Sequence, residues 1–88
     1  MEVIIEHLFK EQFKKCPIAF QLEFRKIYQQ LRVVDNPLEV KNVVANRHSH
    51  NYYKLRICKS RIGMSVQSGK LHIANFLYNQ YFENDSNF

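Results

Sequence analysis

The chain has 88 residues, which is the length of a single domain with a small core. Hydrophobic residues make up 45% of it, and it contains only 2 glycines and 2 prolines, which excludes an intrinsically disordered chain. Its 13 lysines and arginines exceed its 8 aspartates and glutamates, giving a net charge of +5. We therefore expect a polyanionic partner: a nucleic acid, a membrane surface or an acidic protein.

The sequence predicts neither a targeting segment nor a membrane span. The first residues, MEVIIEHLF, carry two glutamates and lack the long apolar centre of a signal peptide. No run approaches the ~18 apolar residues that a membrane span needs. Cys16 and Cys58 stand far apart, without the CxxC spacing of a metal or redox motif. These features predict a cytoplasmic protein that does not span a membrane.

The first half of the chain predicts a short strand followed by a helical hairpin. The β-branched run EVIIE at residues 2–6 favours a strand. After it, an apolar residue recurs every three or four positions, which indicates two amphipathic helices. Pro17 separates the helices, and the DNP sequence at residues 35–37 ends the second one. We expect the apolar stripe of these helices to form core: Phe9, Phe13, Cys16, Phe20, Phe24, Ile27, Leu31 and Val34.

The second half predicts a three-stranded antiparallel meander over residues 51–77. Apolar and polar residues alternate, and two-residue turns fit at Lys59-Ser60 and Ser68-Gly69. This register pairs Ile57 with Ile62 and puts the apolar residues of all three strands on one face. Residues 38–44 fit either a short helical turn or an extended piece, and the basic stretch after them is typical of a loop. The predicted fold class is thus α+β, with an N-terminal strand, a helical hairpin and a meander.

Three cations share the other face of the predicted meander: Lys54, Arg56 and Arg61. An unpaired buried cation costs several kcal/mol, so we expect this face to be open or to bind an anion. Two arginines can hold a phosphate by bidentate hydrogen bonds. The predicted register also puts Phe76 beside Arg61 and leaves Tyr52 on this face, so that two rings are available for base stacking. The alternative is a solvated basic face without a ligand.

Three other features of the sequence bear on this face. Gly63 would lie within a strand, opposite Arg56, where a glycine favours the close approach of a ligand to the backbone. His50 and His72 are candidates for a general base, because histidine titrates near neutral pH. The HSH sequence at residues 48–50 lacks the four ordered ligands of a structural zinc site. We therefore expect no metal and no other cofactor.

The motif NYYKLRICKSRIGMSV at residues 51–66, after a strand and two helices, resembles the RelE/ParE superfamily of toxins from bacterial toxin–antitoxin modules. Within it, the motif is most similar to the RelE branch of mRNA interferases. The resemblance covers nearly the whole chain and implies a single RelE-like toxin domain over residues 1–88. It also implies a cytoplasmic toxin that forms a hetero-oligomer with a cognate antitoxin and acts on the ribosome and mRNA.

The resemblance further implies a metal-independent endoribonuclease that cleaves mRNA in the ribosomal A site. In such enzymes the ribose 2′-OH attacks the adjacent phosphate and leaves a 2′,3′-cyclic phosphate. Matched by position, Lys54, Arg56 and Arg61 are the implied catalytic and RNA-binding cations. Tyr52 and Phe76, which the predicted register puts on the same face, are the predicted aromatic contacts to RNA.

The C-terminal end departs from the family pattern. The family has an H-R-x-[DE]-[IV]-Y segment where this chain has FLYNQYF at residues 76–82, so that Asn79 stands at the usual arginine and Glu83 at the usual tyrosine. The candidates to supply the missing groups are Tyr78, Tyr81, Glu83 and His72. Two alternatives stay open: a ParE-like inhibitor of DNA gyrase, and a weakened toxin fold that serves only as an antitoxin-binding corepressor.

Overall fold

Five strands and two helices make up the part of the chain that the computed structural model describes, residues 1–82. The first half holds β1 (Val3–Ile5), α1 (His7–Phe13) and α2 (Ile18–Val33). A 3₁₀ turn at Pro37–Glu39 leads into the second half, which holds β2 (Val43–Ala45), β3 (Tyr52–Ile57), β4 (Ser60–Gln67) and β5 (Lys70–Tyr78). No helix within residues 1–82 is long and apolar enough to cross a membrane.

The strands form one sheet in the order β1-β5-β4-β3-β2. Consecutive strands from β2 to β5 are antiparallel, and β1 pairs with β5 in parallel. The predicted α+β fold is therefore confirmed, and β2 adds a fourth antiparallel strand to the predicted meander. The sequence left residues 38–44 undecided because a strand of three residues, Val-Val-Ala, is too short to show an alternating pattern.

The predicted helical stripe forms the core against one face of the sheet. Phe9, Phe20, Phe24 and Leu31 are almost fully buried, and Phe13 and Val34 pack at the edge of the same cluster. The ring of Phe9 contacts three other rings at centroid distances of 5.6, 5.1 and 5.1 Å: Phe13, Phe24 and Phe76. The helices cover this side only, so the opposite face of the sheet carries no helical layer within residues 1–82.

The turn between β3 and β4 differs from the prediction. Cys58 and Lys59 form it, so that Leu55 pairs with Ile62 and Arg56 with Arg61. The carbonyl of the Gln80 side chain accepts a hydrogen bond from the Lys59 backbone N–H at 2.8 Å, and the Gln80 N–H donates to the Ser60 hydroxyl at 3.2 Å. These contacts across 20 residues fix the turn, and no local pattern reveals them. The register is two residues away from the predicted one, so the paired side chains of β3 and β4 keep their predicted faces.

The pairing of β4 with β5 follows the prediction at first and then shifts. Met64 pairs with Ile73 as predicted, but a bulge places Asn75 opposite Gly63 and Phe76 opposite Ile62. The prediction that Phe76 lies on the cationic face is therefore wrong: its ring is 7% exposed and belongs to the core. The bulge interrupts the hydrogen-bond ladder between β4 and β5. This free-energy cost is offset because the Phe76 ring enters the core and the polar Asn75 leaves it. The side-chain carbonyl of Gln12 accepts the Phe76 N–H at 3.0 Å and supports this register.

Alkylation is expected to distinguish the two thiols. Cys16 is buried, and burial raises the pKa of its thiol, whereas Cys58 is exposed in the β3–β4 turn. A raised pKa leaves less of the reactive thiolate at any given pH. Iodoacetamide at mildly alkaline pH should therefore modify Cys58 in the native protein and reach Cys16 only after denaturation. Mass spectrometry of tryptic peptides measures both sites, and equal labelling of the native protein would contradict the burial of Cys16.

Candidate functional site

The candidate site lies on the face of the sheet that the helices leave open. Along β3, the exposed Lys54 and Arg56 alternate with the buried Leu55 and Ile57. Arg61 on β4 pairs with Arg56 and shares its face. The structure thus brings the three predicted cations together. Their side chains reach this face because alternate residues of a strand point to opposite sides of the sheet.

These cations lie in two neighbouring rows that cross the strands. Lys54 pairs with Gly63, which pairs with Asn75, and in the next row Arg56 pairs with Arg61. The prediction that Arg56 faces Gly63 is therefore wrong, because the turn lies one residue earlier than predicted and this shifts the pairing by two residues. The rows are about 6.6 Å apart, twice the rise of one strand residue. Two arginines directly opposite each other repel, and an anion bound between them would relieve the repulsion.

The positive charges of this face have no acidic partner among the described residues. The four ion pairs within residues 1–82 involve other cations: Lys14, Lys26, Lys70 and His72. Nη1 of Arg61 donates to the carbonyls of Cys58 and Ser60 at 3.2 and 2.8 Å, which holds the guanidinium against the turn. Within residues 1–82, Nη2 and Nε of Arg61 make no hydrogen bond and can still donate to a ligand.

A depression of about 200 Å³ adjoins Lys54. Gly63 and Asn75 contribute to its lining, and Tyr52, whose side chain is 53% exposed, stands at its edge. A Cβ at position 63 would lie 3.2 Å from Cδ2 of Leu77. The close approach that the sequence predicted at Gly63 is thus made by Leu77, and the glycine also keeps the depression open. Its size and its mixed apolar and polar lining suit a planar ring.

Sequence reasoning missed two residues beside the cations, Arg47 and His48. They line a second depression of about 380 Å³ together with Lys54 and Arg56. The pairing of Val44 with Lys54 brings the loop after β2 to this place. The only signal in the sequence was the basic, turn-forming run NRHSH at residues 46–50, which by itself predicts no more than a solvated loop.

The candidate base His72 lies at one end of the face, in the row of Ser65 and Tyr52. Nδ1 of His72 is 2.6 Å from a carboxylate oxygen of Glu6. This contact engages one of the two ring nitrogens of His72. The arginine pair lies two rows further along the strands. His72 therefore joins β5 to the segment after β1, and the structure does not bring it together with Arg56 and Arg61.

Of the two other candidates that lie within residues 1–82, one is in the cationic rows. Tyr78 pairs with Arg61 and is 42% exposed. Tyr81 packs on the helix side, with its ring edge-on to Phe20 at 5.6 Å. Desolvation there raises the pKa of the Tyr81 phenol above its ordinary value. Glu83 lies outside the described residues.

The fold of this chain is similar to that of a solved toxin complex. It superposes with a TM-score of 0.75 on a chain of the RelB-RelE antitoxin-toxin complex from Methanococcus jannaschii, covering 94% of this chain and 98% of that one. The two sequences are 18% identical. No protein-family model matches the sequence, and a search of curated proteins finds no match. The structural likeness shows that this chain has a RelE-like fold, as the resemblance of residues 51–66 predicted.

Proposed function

We propose that this chain is the toxin of a toxin–antitoxin pair and a ribosome-dependent endoribonuclease that cleaves mRNA in the A site. The observation that carries the proposal is the trio of Lys54, Arg56 and Arg61 on the open sheet face of a RelE-like fold, without acidic partners among residues 1–82. The RelB-RelE neighbour is an antitoxin–toxin complex, which supports an antitoxin as the second partner of this chain.

The proposed reaction needs charge stabilisation and two proton transfers. The 2′-oxygen of a ribose forms a bond to the adjacent phosphorus, and the bond from phosphorus to the 5′-oxygen breaks. Arg56 and Arg61 hold the non-bridging oxygens, whose negative charge grows in the transition state, and Lys54 adds a point charge from the next row. A base accepts the 2′-hydroxyl proton, and the departing 5′-oxygen receives one. Tyr78, in the same row as the arginine pair, is our candidate for this proton donor.

Primer extension on a reporter mRNA in a translating extract tests this function. With added protein, we expect new stops within codons while ribosomes are engaged, and no stops when initiation is blocked. The upstream fragments should end in a 2′,3′-cyclic phosphate, which resists ligation until the ring is opened. A message that stays intact in the presence of folded protein would contradict the nuclease proposal.

One observation favours a second candidate, a RelE-like toxin without nuclease activity. The family pattern puts its second arginine at position 79, and here the Asn79 side chain bonds within the protein, donating to Sγ of Cys16 at 3.8 Å and accepting the Tyr81 N–H at 3.0 Å. This position therefore adds no cation to the open face. Inhibition of DNA gyrase in a supercoiling assay, with mRNA left intact, would identify the ParE-like alternative. If the protein were inactive in both assays and its expression alone did not stop growth, the antitoxin-binding corepressor would remain.

A further inference from the structure

We propose that Arg47 and His48, together with Lys54 and Arg56, form a second phosphate subsite that binds a phosphodiester next to the scissile one in single-stranded RNA. The inference rests on the proposed function and extends it, because it names residues outside the predicted catalytic set and a second point of contact with the substrate. The carrying observation is the depression of about 380 Å³ that these four side chains line at the β2 edge of the sheet.

The loop that carries Arg47 is held at both ends. The Asn46 N–H donates to the Tyr52 carbonyl at 2.9 Å, and the Asn46 side-chain oxygen accepts the His48 N–H at 2.9 Å. At the other end, Asn51 adopts a φ of +66°, and its carbonyl accepts the Val66 N–H at 2.8 Å. These bonds fix the course of the loop along the edge of β3. Arg47 and His48 are therefore held beside the cationic rows by the fold itself.

The charges define two anion positions that share Arg56. Arg61 lies across from Arg56 on β4, and its guanidinium is held at the β3–β4 turn. Arg47 lies on the opposite side of Arg56, toward β2, in a depression that Arg61 does not line. Successive phosphates of one strand fill these two positions, one beside Arg61 and the other beside Arg47. Within residues 1–82, neither Arg47 nor His48 has an acidic partner within ion-pair distance, so both side chains are available to a bound anion.

Single-stranded RNA fits this arrangement better than an acidic protein segment does. Beside Lys54 lies the depression at Gly63 and Asn75, with the exposed ring of Tyr52 at its edge. Basic positions next to a ring that is free to stack are the features that hold single-stranded nucleic acid. An acidic peptide would use the cations but has no need of the ring. The site is thus assigned to the backbone of RNA.

Salt-dependent RNA binding tests the second subsite. The probe is a short, fluorescein-labelled 2′-O-methyl RNA, which has no free 2′-hydroxyl and cannot be cleaved. Fluorescence anisotropy between about 50 and 200 mM salt gives the slope of log K against log salt, which changes by about 0.7 for each phosphate contact of a single strand. We expect Arg47→Ala to make the slope shallower by about 0.7 and to weaken binding several-fold at low salt. Arg47→Lys should keep the wild-type slope.

The matched control is Arg25→Ala, which removes an exposed arginine from α2 on the helix side. An Arg47→Ala slope equal to that of this control would overturn the inference. It would also be overturned if Arg47→Ala weakened the binding of polyglutamate alone, since that would assign the cluster to an acidic protein.

The proposed function and the subsite fail in different ways. An intact mRNA in the translating extract, combined with a shallower slope for Arg47→Ala, would overturn the nuclease proposal and keep Arg47 as a contact to an RNA phosphate. Cleavage by the wild-type protein, combined with an unchanged slope, would overturn the subsite alone.

Discussion

Replacement of Arg61 by glutamate is expected to abolish mRNA cleavage, with a loss of at least about 10²–10³ in rate. The substitution removes one hydrogen-bond donor to the phosphate, and it also affects the neighbouring strand. Position 61 lies directly across from Arg56, so the new carboxylate would pair with Arg56 and withdraw it from the substrate. One substitution would thus neutralise both members of the arginine pair.

The stability of the Arg61→Glu variant should change little. The lost hydrogen bonds from Nη1 to the turn carbonyls are offset by the replacement of a like-charge pair with an opposite-charge pair, an effect of about 0.2–1 kcal/mol. Cleavage is measured by primer extension, and stability by urea denaturation. Arg25→Glu makes the same charge change on α2 and should cleave normally. If Arg61→Glu cleaved as well as wild type, the assignment of the phosphate site would be wrong.

Replacement of Phe76 by alanine is expected to lower the free energy of unfolding by about 3–5 kcal/mol. The ring is 7% exposed and lies within 5.1 Å of Phe9 and 5.8 Å of Phe20 by centroid distance, so its removal leaves a cavity among aromatic side chains. Such a loss is a large share of the ~5–15 kcal/mol that keeps a domain folded. Chemical denaturation followed by circular dichroism measures it.

Tyr52→Ala is the matched aromatic control on the other face of the sheet. Because the Tyr52 ring is 53% exposed, its loss should leave the unfolding free energy nearly unchanged and weaken RNA binding by about 1–3 kcal/mol. The two variants thus separate a ring of the core from a ring of the binding face. A Phe76→Ala protein that was as stable as wild type and bound RNA poorly would show that the bulge in β5 is absent.

The faces of β3 and β4 could be predicted from the sequence, while their exact pairings and the face of Phe76 on β5 could not. Side chains alternate with a period of two, so a slip of two residues leaves Lys54, Arg56 and Arg61 on the same face. The slip changes only which residue each of them meets across the strands. The helical stripe was equally clear, because eight apolar residues repeat at a helical spacing and all of them line or adjoin the core.

What escaped prediction depends on contacts between distant parts of the chain. The position of Phe76 depends on the bulge, which Gln12 supports from α1. Arg47 and His48 join the site only because β2 pairs with β3, and three residues of strand leave too little pattern to be recognised. Patterns in the sequence indicate the structure of single segments, whereas each of these contacts joins two segments that are distant along the chain.

The hydrogen bonds of Gln80 imply that residues outside the candidate site influence its geometry. Gln80 is uncharged and lies outside the cationic rows, yet it bonds to the β3–β4 turn in the register that places Arg56 opposite Arg61. The arrangement of charges on this face thus depends in part on the side-chain amide of Gln80, which follows β5. Variation in the segment after β5 can therefore rearrange the cations of the proposed phosphate site without adding or removing a charge.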